Sequence, residues 1–217
     1  MRINPFIDAW MFLTGNTDEH RASGVGWLLT VLFLVLLVAS IWIAWDNWRR
    51  DSEQRTAGHL ATWFMRVMIG IMFYQGSLWK LPFPVSWGFD GATRPIAEFA
   101  AFGFHRWIAA HIFIPGLPVL DPLTYFLELS FAVSFILGFL VRPLGVIGVI
   151  FVGQLWLGLY RQPSEWPWTY VFLMLVLGFM IVTNAGKSLG LDALIARKPF
   201  GPFAGDGRLA RAYRKIA

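Results

Sequence analysis

Residues 24–45 read GVGWLLTVLFLVLLVASIWIAW, an unbroken run of 22 residues without a single charged side chain. As an α-helix such a run is about 33 Å long at 1.5 Å per residue. That is enough to cross the roughly 30 Å hydrocarbon core of a bilayer. Working outward, four more apolar blocks follow. Residues 59–79 carry one charge, Arg66, and residues 123–141 carry Glu128 before their closing arginine is reached at 142. Residues 144–160 are uncharged and glycine-rich, and residues 168–183 are uncharged. In lipid every backbone polar group must be satisfied internally, which leaves helices or closed barrels. None of these blocks alternates polar and apolar residues as a barrel strand does. The reading is an all-α membrane protein with five transmembrane helices.

Composition points the same way. Of 217 residues, 57% are hydrophobic and 14% charged, against about a quarter charged in soluble domains. With no cysteine, the chain has no disulfide, thiolate metal site or cysteine-held iron–sulfur cluster. The first block is longer than the apolar core of a signal peptide and lacks a basic lead, so it is expected to be retained. The net charge of +5 is not gathered with aromatics in a nucleic-acid pattern. Its basic residues flank the apolar blocks, where Lys and Arg set membrane orientation. The tail holds Lys187, Arg197, Lys198, Arg208, Arg211, Arg214 and Lys215. Placing that tail in the cytoplasm puts eleven Lys/Arg inside and six outside, which predicts an N-out, C-in topology. Trp27, Trp79, Trp166 and Trp168 then mark the outer interface, and Trp42, Trp45 and Trp48 the inner one.

Three parts are expected: a segment 1–58 with the extra helix at about 24–45, a four-helix unit 59–195, and a basic tail 196–217. Inside the second part lies a long external insertion, 82–121. Its Pro/Gly-rich start, 81–91, is read as irregular. Thr93-Arg94-Pro95 then signals a helix N-terminus. Beyond it Arg94, Glu98, Ala101 and His105 form a polar stripe, with Ile96, Phe99, Gly103, Trp107 and Ala110 opposite. That spacing predicts one amphipathic helix on the outer interface.

Ionisable residues inside apolar spans are costly and need partners. Arg66, Gly70, Phe73, Ser77 and Lys80 share one face of the second helix; Thr124, Glu128, Phe131, Phe135 and Arg142 share one face of the third. Glu128 and Lys80 are expected to meet in the outer half, with Gln154 and Tyr170 nearby. Arg66 and Arg142 fall in the inner half, where Asp192 or helix-end carbonyls are the partners to look for. These six residues, Glu128, Lys80, Arg66, Gln154, Tyr170 and Arg142, are either a pocket for a quinone head group or small oxyanion, or a hydrogen-bond network fixing helix packing. Gly145, Gly148, Gly153 and Gly158 suggest close helix contacts. No histidine pair has the spacing of a metal site within one helix.

Several of these stretches resemble DoxX/DoxD-type membrane proteins. The run from Arg66 through Gly70 and Gly76 to Lys80 is similar to that family's first helix. Glu128 with Gly138 and Arg142 is similar to its second. Trp166-Pro-Trp-Thr-Tyr170 and Ala185-Gly-Lys-Ser-Leu-Gly-Leu-Asp192 resemble the last helix and its exit motif, so the likeness runs in order over residues 60–195. The resemblance implies a four-helix bundle in a bacterial cytoplasmic membrane. It also implies a link to redox chemistry of the thiosulfate:quinone oxidoreductase type, with quinone as the expected ligand. The extra N-terminal helix, the insertion and the tail depart from that plan. They leave open a second function, a non-catalytic accessory subunit of a respiratory or photosynthetic complex. Partners expected on either reading are the bilayer and other membrane subunits or copies of the chain.

Overall fold

The computed structural model describes residues 4–81, 87–205 and 207–217, and among these all regular structure is helical. Two short helices, α1 (Pro5–Leu13) and α2 (Asp18–Ala22), precede α3 (Gly26–Arg50). Then come α4 (Ala57–Leu78), α5 (Trp87–Phe99) and α6 (Gly103–Ile108). A π-helical turn, Ala109–Phe113, leads towards α7 (Leu117–Leu137), α8 (Val141–Gly158) and α9 (Trp168–Val182). Two short helices close the chain, α10 (Leu191–Arg197) and α11 (Arg208–Ile216).

Three of these, α3, α7 and α8, are long and apolar enough to cross a membrane. Two of the five expected spans do not reach that standard. Helix α4 has the length, but His59, Arg66, Gln75 and Ser77 make it more polar. Helix α9 is the most apolar yet has only 15 residues, about 22 Å of helix.

The long helices share one core. Helix α4 lies along α7 and α8 along α9, while α3 also packs on α7. Phe33 of α3, Tyr74 of α4, Phe131 and Phe135 of α7, Val152 of α8 and Leu177 and Met180 of α9 are almost fully buried there. Close approach of α4 to α7 requires Gly70: a Cβ at that position would stand 2.8 Å from the backbone nitrogen of Ile136. Gly145 and Gly148 serve the α8–α9 contact, against Ile181 and Leu177. The outward faces carry large apolar side chains such as Val38, Trp42, Ile150 and Leu175, all more than half exposed. Such a surface suits contact with acyl chains and would be a liability in water.

Helix ends correct several sequence expectations. The third apolar block was read as one helix reaching Arg142. Instead Gly138 adopts φ +73° and its N–H closes back on the Ser134 carbonyl, ending α7 at Leu137. Leu140 is also left-handed, at φ +53°. Arg142 therefore belongs to the first turn of α8 and is exposed.

In the insertion the expected irregular start lies partly outside the described residues, and from Trp87 onward it is already helical. Pro95 sits inside α5 rather than near its first turn. The single amphipathic helix is in fact two, broken at 100–102, where the Ala101 N–H donates to the Leu157 carbonyl at the end of α8. Arg94 and Glu98 face outward and Ile96 is buried, as the stripe demands, but the break leaves Gly103 and Trp107 exposed. Within the basic tail, residues 208–216 form α11.

Candidate functional site

Two polar clusters lie at opposite ends of α4 and α7, and they differ in kind. At the end where α7 meets α8, the polar groups are consumed by the fold. The last carbonyls of a helix have no partner within it. Those of α7 are met from outside: Arg66 Nη1 donates to the Phe135 carbonyl at 2.7 Å, and Ser40 Oγ to that of Ile136 at 2.6 Å. Arg66 is fully buried and its Nη2 also reaches the Ser188 carbonyl at 3.5 Å.

The 185–192 segment is held from several sides. Asn47 Nδ2 donates to the Gly190 carbonyl (2.9 Å), and Gln54 brackets the segment through the Lys187 carbonyl and the Leu189 N–H. His59 Nδ1 lies 3.0 Å from Ser188 Oγ. Asp192 closes the cluster. Its N–H donates to the Gly138 carbonyl (2.9 Å), and its Oδ1 accepts from the Leu140 N–H (3.1 Å) and the Tyr213 hydroxyl (2.5 Å). Burial, and after it the bond to Asp192, pushes the Tyr213 hydroxyl well above its ordinary pKa. This end is a structural knot around Arg66, whose guanidinium is met by backbone carbonyls, while Asp192 is held by the Leu140 N–H and the Tyr213 hydroxyl.

The other end contains a cavity. Its volume is about 450 Å³, and its walls come from α4, α5, α7, α8 and α9. Apolar side chains dominate, among them Phe89, Ile96, Phe113, Leu127 and Phe151. The polar groups are few: Lys80, Thr93, Thr124, Gln154, Glu165 and Tyr170. Lys80 is ion-paired with Glu128, which is buried behind it. The ammonium also stands 4.5 Å from the centre of the Trp79 ring, and Trp79 lines the cavity as well. Among the described residues one oxygen of Glu128 is engaged, and Oε2 is buried without a hydrogen bond. Tyr170 donates to Glu165 at 3.0 Å.

Gln154 stands at a boundary. It lines the cavity and also an open apolar groove formed with Phe102, Phe104, His105, Ile108 and Ile150. Its Nε2 is 3.3 Å from His105 Nε2. Burial lowers the pKa of that imidazole, favouring its neutral form.

The structure thus brings Lys80, Glu128, Gln154 and Tyr170 to one place, sends Arg66 to the knot at the other end, and leaves Arg142 outside both. Glu165 and His105 were missed by sequence reasoning. Neither lies in an apolar span, where a charged or titratable residue draws notice; the only signals were the place of Glu165 in the loop between two spans and of His105 on the polar stripe of the surface helix. Among the described residues no group of three or more His, Asp or Glu side chains could hold a metal ion. Comparison with protein-family models, curated proteins and solved structures finds no match for this chain.

Proposed function

We propose that the chain is a multi-pass, DoxX-like membrane protein with an added N-terminal helix, and that it binds a quinone-type amphiphile, ring in the cavity and tail along the Gln154 groove. The cavity carries this reading. Its size falls in the range of about 300–1,000 Å³ typical of small-molecule sites, and an apolar wall with a few convergent polar groups is the usual composition of such sites. The groove beyond Gln154 is lined almost wholly by apolar side chains, a suitable course for an isoprenoid tail entering from lipid.

Charge distinguishes the two ligands expected from the sequence. Lys80 is neutralised by Glu128, and Glu165 adds a second carboxylate at the rim. An oxyanion would meet more negative than positive charge. A neutral ring with carbonyl oxygens would instead find the Lys80 ammonium and the Gln154 amide as donors without requiring an excess of positive charge. A role in membrane redox chemistry as a subunit with others follows from the family resemblance and rests on it alone.

The test uses detergent-purified protein and a short-chain quinone analogue. Added quinone should raise Tm by mass action on the folded state. Ala92→Trp, which puts a large side chain into the cavity from α5 and leaves Lys80 and Glu128 unchanged, should abolish that rise while leaving the unliganded Tm close to wild type. An equal rise in both proteins, or none in either, rejects the cavity as the site.

A further inference from the structure

Helix α11 is bound to the bundle by one narrow face. Ala210, Tyr213 and Ala217 are buried, and Tyr213 and Ala217 cluster with Ile195, Phe139, Leu140, Leu191 and Phe203. The Tyr213 hydroxyl reaches Asp192, whose own N–H holds the residue that ends α7. The helix is therefore fastened within a side chain's length of the end of a membrane-length helix.

Its remaining surface is divided. Arg208, Arg211, Arg214 and Lys215 line one shallow face with Ala212. Leu209 and Ile216, seven residues apart and so on one stripe, are 68% and 45% exposed. Exposed leucine and isoleucine beside a row of arginines is the pattern of a helix lying in a membrane interface, apolar stripe toward the acyl chains and basic side chains among the phosphates. An acidic protein surface would also match the charge. It would not account for the apolar stripe or for the attachment at the end of α7.

We infer that α11 is a docking helix for anionic phospholipid, with Arg208, Arg211 and Lys215 contacting headgroup phosphates and Leu209 and Ile216 entering the acyl boundary. Each basic residue near an anionic leaflet strengthens attachment, and salt weakens it. Loss of three such residues should lower the docking equilibrium about a hundredfold at the usual contribution per charge.

The chain has no cysteine, so Leu209→Cys gives one labelling site in the full-length protein. A bimane label there is read in nanodiscs of phosphatidylcholine alone and of phosphatidylcholine mixed with phosphatidylglycerol. The expected result is blue-shifted emission and protection from acrylamide quenching only with phosphatidylglycerol, reversed by high salt. The same label in a chain carrying Arg208→Gln, Arg211→Gln and Lys215→Gln should stay water-exposed in both. Equal emission in the two lipid mixtures, protection that survives the triple substitution, or equal protection in neutral detergent would each overturn the inference.

Discussion

Lys80 and Glu128 form a buried ion pair whose worth lies mainly in mutual dependence. Taking two charges out of water costs several kcal/mol, and the attraction between them roughly returns it. Removing one partner leaves the other stranded. Lys80→Met alone and Glu128→Gln alone should each lower stability, the lysine change by about 3–5 kcal/mol because it strands a buried carboxylate. The double variant should recover most of that loss, a large coupling visible in a thermal double-mutant cycle in detergent. Additive losses would mean that the two side chains are not paired in the membrane-embedded protein. Arg66 differs in kind, since its guanidinium donates to carbonyls at the end of α7 that the helix cannot satisfy for itself.

Among the elements, the α7–α8 turn is tightly constrained. It uses two left-handed residues, Gly138 and Leu140, and the first of them is pressed against the Arg66 guanidinium. A Cβ at position 138 would collide with Arg66 Nη1 and stand 2.7 Å from Gly190 Cα. Gly24 offers a control: its φ is +67°, but nothing lies within 4 Å of a Cβ built there. Gly24→Ala should cost only the left-handed penalty of about 1–2 kcal/mol. Gly138→Ala should cost clearly more and should loosen the 185–192 segment, which is measurable as faster amide exchange there. Equal destabilisation by the two changes would show that the turn has room to relax.

For the molecule as a whole, orientation decides which end meets which compartment. The eleven-to-six distribution of Lys and Arg predicts the C-terminal end, with its knot and α11, on the cytoplasmic side. The cavity end then faces outward. Asn16→Cys and Ala204→Cys, made separately at exposed positions, test this in intact cells with a membrane-impermeant maleimide. Position 16 should label from outside and position 204 only after lysis. Labelling of position 204 in intact cells would reverse the orientation and move the cavity to the cytoplasmic half.

Apolar run length and the lack of period-two alternation were sufficient by themselves to establish helices of membrane length at α3, α7 and α8, because lipid leaves the backbone no other solution. The cost of burying charge likewise marked Arg66, Glu128 and Lys80 as residues that must find partners. Which partners they found was decided only by tertiary structure. Lys80 and Glu128 are 48 positions apart, and Arg66 and Ser188 are 122 apart; such contacts depend on how each helix is rotated about its axis. Hydropathy carries little of that rotation here, because lipid is as apolar as the protein core and both faces of a helix read alike. The same blindness let Arg142 pass as a member of α7 until the left-handed Gly138 ended that helix. It also hid Glu165, which reaches the site from a loop, and the contact of His105 with Gln154, since periodicity put His105 on a polar stripe without saying what that stripe meets.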